Sequence, residues 1–208
     1  MRNFFIQNLI EHNLKSKNKA YLLVGDVGFS IVEKFENLFP NYFINVGVAE
    51  QNMSSLASGI ASEGCLVFTY SIGNFGTFRC AEQIRNTIDY HNYNVTIVAT
   101  GSGVEYGYYG YSHHLLQDLG LMQLFPNFTL LTPSDNQELK DCLNFCYKNA
   151  GPKYLRLSKF DYPTKVKSKI TSNINLIIES KKNKNTCFLS TGKISNEIYR
   201  NKISAHFS

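Results

Sequence analysis

The sequence predicts an α/β fold, a mainly parallel sheet with helices on both faces. Two observations carry this. Six short apolar runs recur along the chain, and longer stretches whose apolar residues return every third and fourth position separate them. Such alternation of short buried strands with amphipathic helices is the signature of a parallel sheet covered by helices.

Taken in order, a helical pattern over residues 4–14 leads to a first strand over 21–24, and a second helix over 31–38 to a strand over 42–46. A helix over 50–63 follows, then a strand over 66–70, a helix over 79–90 and a strand over 95–99. The series closes with a helix over 115–124, a strand over 128–131, a helix over 134–147 and a strand over 154–157. Pro133-Ser134-Asp135 gives the last of these helices a clear start. The helix from residue 50 carries Ser54, Ser55, Ala57, Ser58, Gly59, Ala61 and Ser62, small enough to let another backbone approach closely, within the fold or across a subunit interface.

A length of 208 residues allows one domain and part of another. The net charge of +5 owes much to Lys165, Lys167, Lys169, Lys181, Lys182 and Lys184, in a stretch that reads as a solvated linker rather than a nucleic-acid patch. Five cysteines without a CxxC pair argue against a closed disulfide framework and for a reducing interior. The first fourteen residues lack the apolar core of a secretory signal, and no run approaches the roughly 18 apolar residues that span a bilayer. A cytoplasmic protein with no nucleic-acid or membrane partner is expected.

Three segments carry chemistry. The first is Ile44-Asn45-Val46-Gly47-Val48-Ala49-Glu50-Gln51-Asn52-Met53, which puts a lone carboxylate where a strand turns into a helix. Glu50 there is either a proton-transfer group or a first-turn residue favoured by the helix dipole. The second runs from Phe68 through Tyr70, Phe75 and Arg79 to Arg85, a strand, a glycine-broken loop and a helix. Its aromatics suit stacking on a flat heteroaromatic ring or ordinary core packing, and core packing is the reading for Phe78. The third, Gly107 to Leu119, presents His113 and His114 from a glycine-spaced loop. A histidine there can exchange hydrogen bonds with a substrate hydroxyl at neutral pH. No acid or cysteine stands beside the pair at a convincing metal spacing, so no metal ligand is assigned.

In this order the segments resemble the pyrimidine-binding domain of the transketolase family, shared with deoxyxylulose-phosphate synthases, over about residues 22–162. The resemblance implies thiamine diphosphate as cofactor. It implies that Glu50 addresses the aminopyrimidine and activates the cofactor, that Tyr70 and Phe75 are its aromatic neighbours, and that His113 engages substrate. It also implies that Asp26, in Gly25-Asp26-Val27-Gly28-Phe29-Ser30, lies near the cofactor, that Ser30 lies near a substrate phosphate, and that Lys159 or Arg156 binds that phosphate. Asp26 before its glycine-containing turn also reads as ordinary turn chemistry. The chain departs from the family pattern at Tyr109, where an acid is expected, and at Gly101, where a histidine is expected.

The Gly-Asp-Gly run and downstream Asn that hold a divalent cation in the diphosphate-binding half of such enzymes do not occur here. The resemblance therefore implies a separate diphosphate-binding N-terminal subunit, which supplies the Mg²⁺ or Ca²⁺ site, in a homo- or hetero-oligomer acting on a sugar or sugar phosphate. It implies transfer of a two-carbon ketol unit, with deoxyxylulose-phosphate synthase-like activity or a non-catalytic, truncated regulatory subunit as the competing readings. Residues 1–163 are expected to form the domain and 164–185 a linker. Residues 186–208 are read as the incomplete start of a transketolase carboxyl-terminal domain, poorly ordered from about Lys193.

Overall fold

The computed structural model describes residues 1–161, 169–171, 174–176 and 190–200. Helix α1 (Arg2–Lys15) precedes strand β1 (Ala20–Val24), and α2 (Glu33–Leu38) leads to β2 (Phe43–Asn45). Helix α3 (Glu50–Ser62) returns the chain to β3 (Leu66–Ile72), and two short helices follow, α4 (Gly73–Thr77) and α5 (Ala81–Gln83). After β4 (Val95–Thr100) come a long loop, α6 (Asp118–Met122), β5 (Thr129–Leu131), α7 (Asn136–Lys148) and β6 (Lys153–Leu157).

These six strands form one sheet of order β2-β1-β3-β4-β6-β5, every pair parallel, with helices on both faces as the sequence predicts. Because side chains alternate along a strand, each strand feeds two cores. Leu22, Phe68, Tyr70 and Leu155 join Phe5 and Leu9 of α1 and Leu139 and Leu143 of α7 on one face. Leu23, Val67, Ile97 and Tyr154 meet Met53, Ala57 and Ala61 of α3 on the other. The small residues of α3 thus serve close packing, Ser58 Oγ reaching the Thr87 carbonyl at 2.7 Å.

Three elements differ from expectation. The helix expected over 79–90 is broken into a 3₁₀ turn at Phe78–Cys80, the short α5, and a π-helical stretch at Ile84–Asp89. The helix expected over 115–124 shrinks to α6, because Leu115 pairs with Gly103 as an antiparallel bridge and holds the chain extended there. The tail forms a helix, α8 (Lys193–Arg200). It is held by a 3.5 Å ion pair from Lys193 to Glu105 and by the Thr191–Thr132 hydroxyl contact, long-range partners that composition alone does not reveal. Most of the expected linker lies outside the described residues, though β7 (Lys169–Thr171) and β8 (Ile174–Leu176) within it pair antiparallel. Among the described residues no helix is long and apolar enough to cross a membrane.

Lys153, at the start of β6, is fully buried, with Nζ donating to Asn94 Oδ1 at 2.6 Å and to the Asn149 carbonyl. Desolvation pushes its ammonium group down from 10.5 to about 8. Between those values the unfolded chain binds more protons than the folded one, so this group's contribution to stability grows as pH rises through the window and is lost as pH falls through about 8. In denaturant titrations the stability of the wild type relative to Lys153→Met is expected to increase from pH 8 to pH 10. A difference that stays flat across that range would contradict the depressed titration.

Candidate active site

The sheet order reverses between β1 and β3: the chain leaves β1 for β2 on one side, then returns to β3 on the other. Ligand crevices in open α/β sheets form outside the carboxyl ends of the strands at such a reversal. Gly25 follows β1 at this place, α3 opens beside it with Glu50, and the loop after β3 brings Phe75 and Arg79.

Asn45, at the end of β2, builds the turn that delivers Glu50. Its Oδ1 accepts from the backbone N–H groups of Asp26 at 3.1 Å and Gly47 at 3.0 Å, and its Nδ2 donates to Asp26 Oδ1 at 3.3 Å. Asp26 is exposed with φ 54°, a conformation rarely adopted outside glycine, and the two bonds to Asn45, one at its backbone N–H and one at its carboxylate, hold it there. Glu50 itself is 1% exposed. Its stem packs against the backbone at Gly25, where an added Cβ would lie 3.2 Å from Glu50 Cγ, so a side chain at Gly25 would press on the carboxylate.

Arg79 Nη1 donates to Glu50 Oε2 at 2.9 Å, and the same guanidinium lies 4.6 Å from the centre of the Phe75 ring. Phe75 in turn meets His113 edge-on at 5.0 Å. Behind His113 stand Tyr109 and Tyr106, with ring centres at 4.9 and 5.7 Å, and Ser112 Oγ lies 3.0 Å from His113 Nδ1. Asn74 Nδ2 fastens the histidine loop to α4 through the Ser112 carbonyl at 2.8 Å. Glu50, Arg79, Phe75 and His113 therefore form one continuous wall, a buried acid at one end and an accessible imidazole at the other. One planar cation touches both Glu50 and Phe75. The spacing between them thus suits any flat group with a hydrogen-bonding edge, and an aminopyrimidine ring has that shape and chemistry.

Not every residue expected at the site reaches it. Tyr70 lies on the opposite face of the sheet, fully buried and stacked on Phe5 with ring centres 6.0 Å apart. Strand alternation puts it in a row with Leu66 and Phe68 under α1, and burial pushes its phenol well above the ordinary range. Arg156 is likewise committed elsewhere. Its Nε donates to Asp118 Oδ2 at 2.7 Å and its Nη2 to Asp118 Oδ1 at 3.2 Å and to the Leu115 carbonyl at 2.6 Å, so it locks the histidine loop instead of facing a phosphate.

Lys159 remains near the site with Nζ 4.8 Å from the centre of the Tyr106 ring. Glu105 fixes its backbone, accepting from Lys159 N at 2.6 Å and Ser158 Oγ at 2.7 Å. Ser30 is exposed in a turn with φ 64°, its N–H donating to Glu33 Oε1 at 2.7 Å. Sequence reasoning passed over Asn45, Glu105 and the bracing role of Asp118. Asn45, at the last strand position before the Gly47 turn, is the one whose type signalled its task, since asparagine side chains commonly bond the backbone two residues on.

A family model described as the transketolase pyrimidine-binding domain matches residues 6–165. The chain belongs to the transketolase family. Among transketolase relatives, it is 36% identical over 161 residues to a putative transketolase C-terminal section of Methanocaldococcus jannaschii, covering 77% of this chain and 51% of that protein. It is 32% identical over 163 residues to one subunit of an apulose-4-phosphate transketolase of Actinobacillus succinogenes, covering 78% and 52% respectively. A solved split-gene transketolase, described as an inactive beta4 tetramer, superposes with a TM-score of 0.70 at 31% identity over 78% of this chain and 52% of that one. The chain thus spans about half the length of these transketolase relatives. Membership in the family implies dependence on thiamine diphosphate.

Proposed function

We propose that this chain is the pyrimidine-binding half of a thiamine diphosphate-dependent, transketolase-like transferase that moves a two-carbon ketol unit between sugars. The observation that carries the reading is the buried Glu50 carboxylate beside the Phe75 ring, with His113 at that ring's edge. In this reading residues 1–163 form the working domain, 164–185 a linker, and 186–208 the beginning of a further domain.

Bound cofactor supplies the carbanion chemistry that carbon–carbon cleavage and formation require. Glu50 holds a proton at the far nitrogen of the pyrimidine, and Phe75 fixes the ring's plane by stacking. His113 offers a hydrogen bond to a substrate hydroxyl, and Ser112 orients its imidazole. Asp26 and Asn45 keep the Glu50 turn in place, and Lys159 and Ser30 stand ready for an anionic group of the substrate. With Arg156 occupied by Asp118, lysine alone offers charge there, without the bidentate fork of arginine.

The diphosphate and its Mg²⁺ or Ca²⁺ belong, in this proposal, to a second polypeptide, the diphosphate-binding N-terminal subunit of a homo- or hetero-oligomer. Relatives described as a C-terminal section and as one subunit of a transketolase support that division. Free Cys65, Cys80, Cys142 and Cys146 fit a reducing, cytoplasmic setting. Calorimetry of thiamine diphosphate with Mg²⁺ tests the reading. Tight binding is expected for the assembled pair of subunits and not for this chain alone; a formed complex that binds none would refute it.

A further inference from the structure

We propose that in the free chain the Arg79 guanidinium holds the place of the cofactor's aminopyrimidine ring, and that the cofactor binds by displacing it from Glu50 and Phe75. The inference rests on the function proposed above. A protonated aminopyrimidine and a guanidinium share three properties: both are planar, both spread a positive charge over nitrogen atoms, and both present N–H donors along one edge. Arg79 already makes the two contacts assigned to the ring, the 2.9 Å bond to Glu50 Oε2 and the 4.6 Å stack on Phe75. His113 meets the same ring edge-on at 5.0 Å. A ring and the guanidinium therefore compete for the same carboxylate oxygen and the same aromatic face.

The two members of the pair differ in how easily they yield. Glu50 is 1% exposed and walled by Gly25, so its carboxylate stays where α3 begins. The Arg79 side chain is 46% exposed and projects from a 3₁₀ turn, Phe78–Cys80, between two short helices. Its backbone is held independently, since Gln51 Nε2 donates to the Arg79 carbonyl at 3.0 Å. Rotation about the side-chain bonds alone frees the slot, and the fold need not move. Until then Arg79 neutralises a buried carboxylate that would otherwise lack a counter-charge among the described residues.

A binding-competent state that is only a fraction of the population weakens apparent affinity by that fraction. On the assembled pair of subunits, Arg79→Met is expected to bind thiamine diphosphate with Mg²⁺ roughly fivefold more tightly than wild type, with Arg79→Lys between them. A second readout follows Arg79 itself. Its side-chain ¹⁵N resonance, assigned by its loss in Arg79→Met, is expected to move to the position of a solvated arginine as cofactor saturates the wild type. Equal or weaker binding by Arg79→Met than by wild type, or an Arg79 resonance unmoved at saturation, overturns the displacement while leaving the functional reading intact. Absence of cofactor binding by every form of a folded assembly removes that reading and the displacement with it.

Discussion

Glu50→Gln is expected to lower the turnover of the complete assembly by at least about 100-fold, the lower end of what a positioned acid–base group contributes. The amide matches the carboxylate in shape and still reaches Arg79, so the packing against Gly25 and the start of α3 survive. What disappears is the negative charge that, in the proposed function, would stabilise a proton on the ring nitrogen. Cofactor affinity should change far less than turnover, because the diphosphate contacts and the Phe75 stack of the proposed function would not involve the substituted group. Steady-state rates and calorimetry on the same preparation separate the two effects. Turnover within a few-fold of wild type would eliminate Glu50 as the proton-handling residue.

The second large effect is on stability. Asp118 is fully buried and accepts from three donors, Arg156 Nε at 2.7 Å, Arg156 Nη2 at 3.2 Å and Tyr154 Oη at 2.6 Å. Asp118→Ala strands a largely buried guanidinium and a buried phenol at once. Breaking such a pair from one side costs about 3–5 kcal/mol. For a chain of this size that corresponds to a fall in melting temperature on the order of 10 °C, measurable by calorimetric or spectroscopic thermal unfolding. Asp118→Asn keeps an oxygen acceptor and should lose less. Asp118→Ala melting within about 2 °C of wild type would show that the cluster is not coupled to folding. Because Arg156 also ties the Leu115 carbonyl, loosening the cluster should free the loop that carries His113.

The sheet was legible from the chain because each strand is a short apolar run and each helix keeps its period; strand positions fall close to the expected ones. That Glu50 and Phe75 come together in space followed from a motif in which residue type and spacing are both specific, and Arg79 is the residue that bridges them. The faces of the strands were less legible. In β3 both rows, Leu66, Phe68, Tyr70 and Val67, Thr69, Ser71, are buried, so burial alone does not mark which row turns toward α1. The Arg156 brace was not legible because its partner is distant: strand alternation sets Arg156 beside Tyr154, and both converge on Asp118 in a helix far back along the chain. The π-helical stretch at Ile84–Asp89 left no local signature, since its residues read equally well as α-helix.

The parallel sheet has a consequence for the order of events as the chain is made. Glu50 follows β2, Phe75 follows β3 and His113 follows β4, and β3 must dock between β1 and β4 before these turns come side by side. The braces on the histidine loop come later still, since Arg156 lies on β6, at the far end of the working domain. A partly synthesised chain can therefore hold the acid without its aromatic wall, the wall without its imidazole, or all three without the Arg156 brace. In the function proposed above, the braced site would therefore be offered only by molecules whose β6 has already paired with β4 and β5.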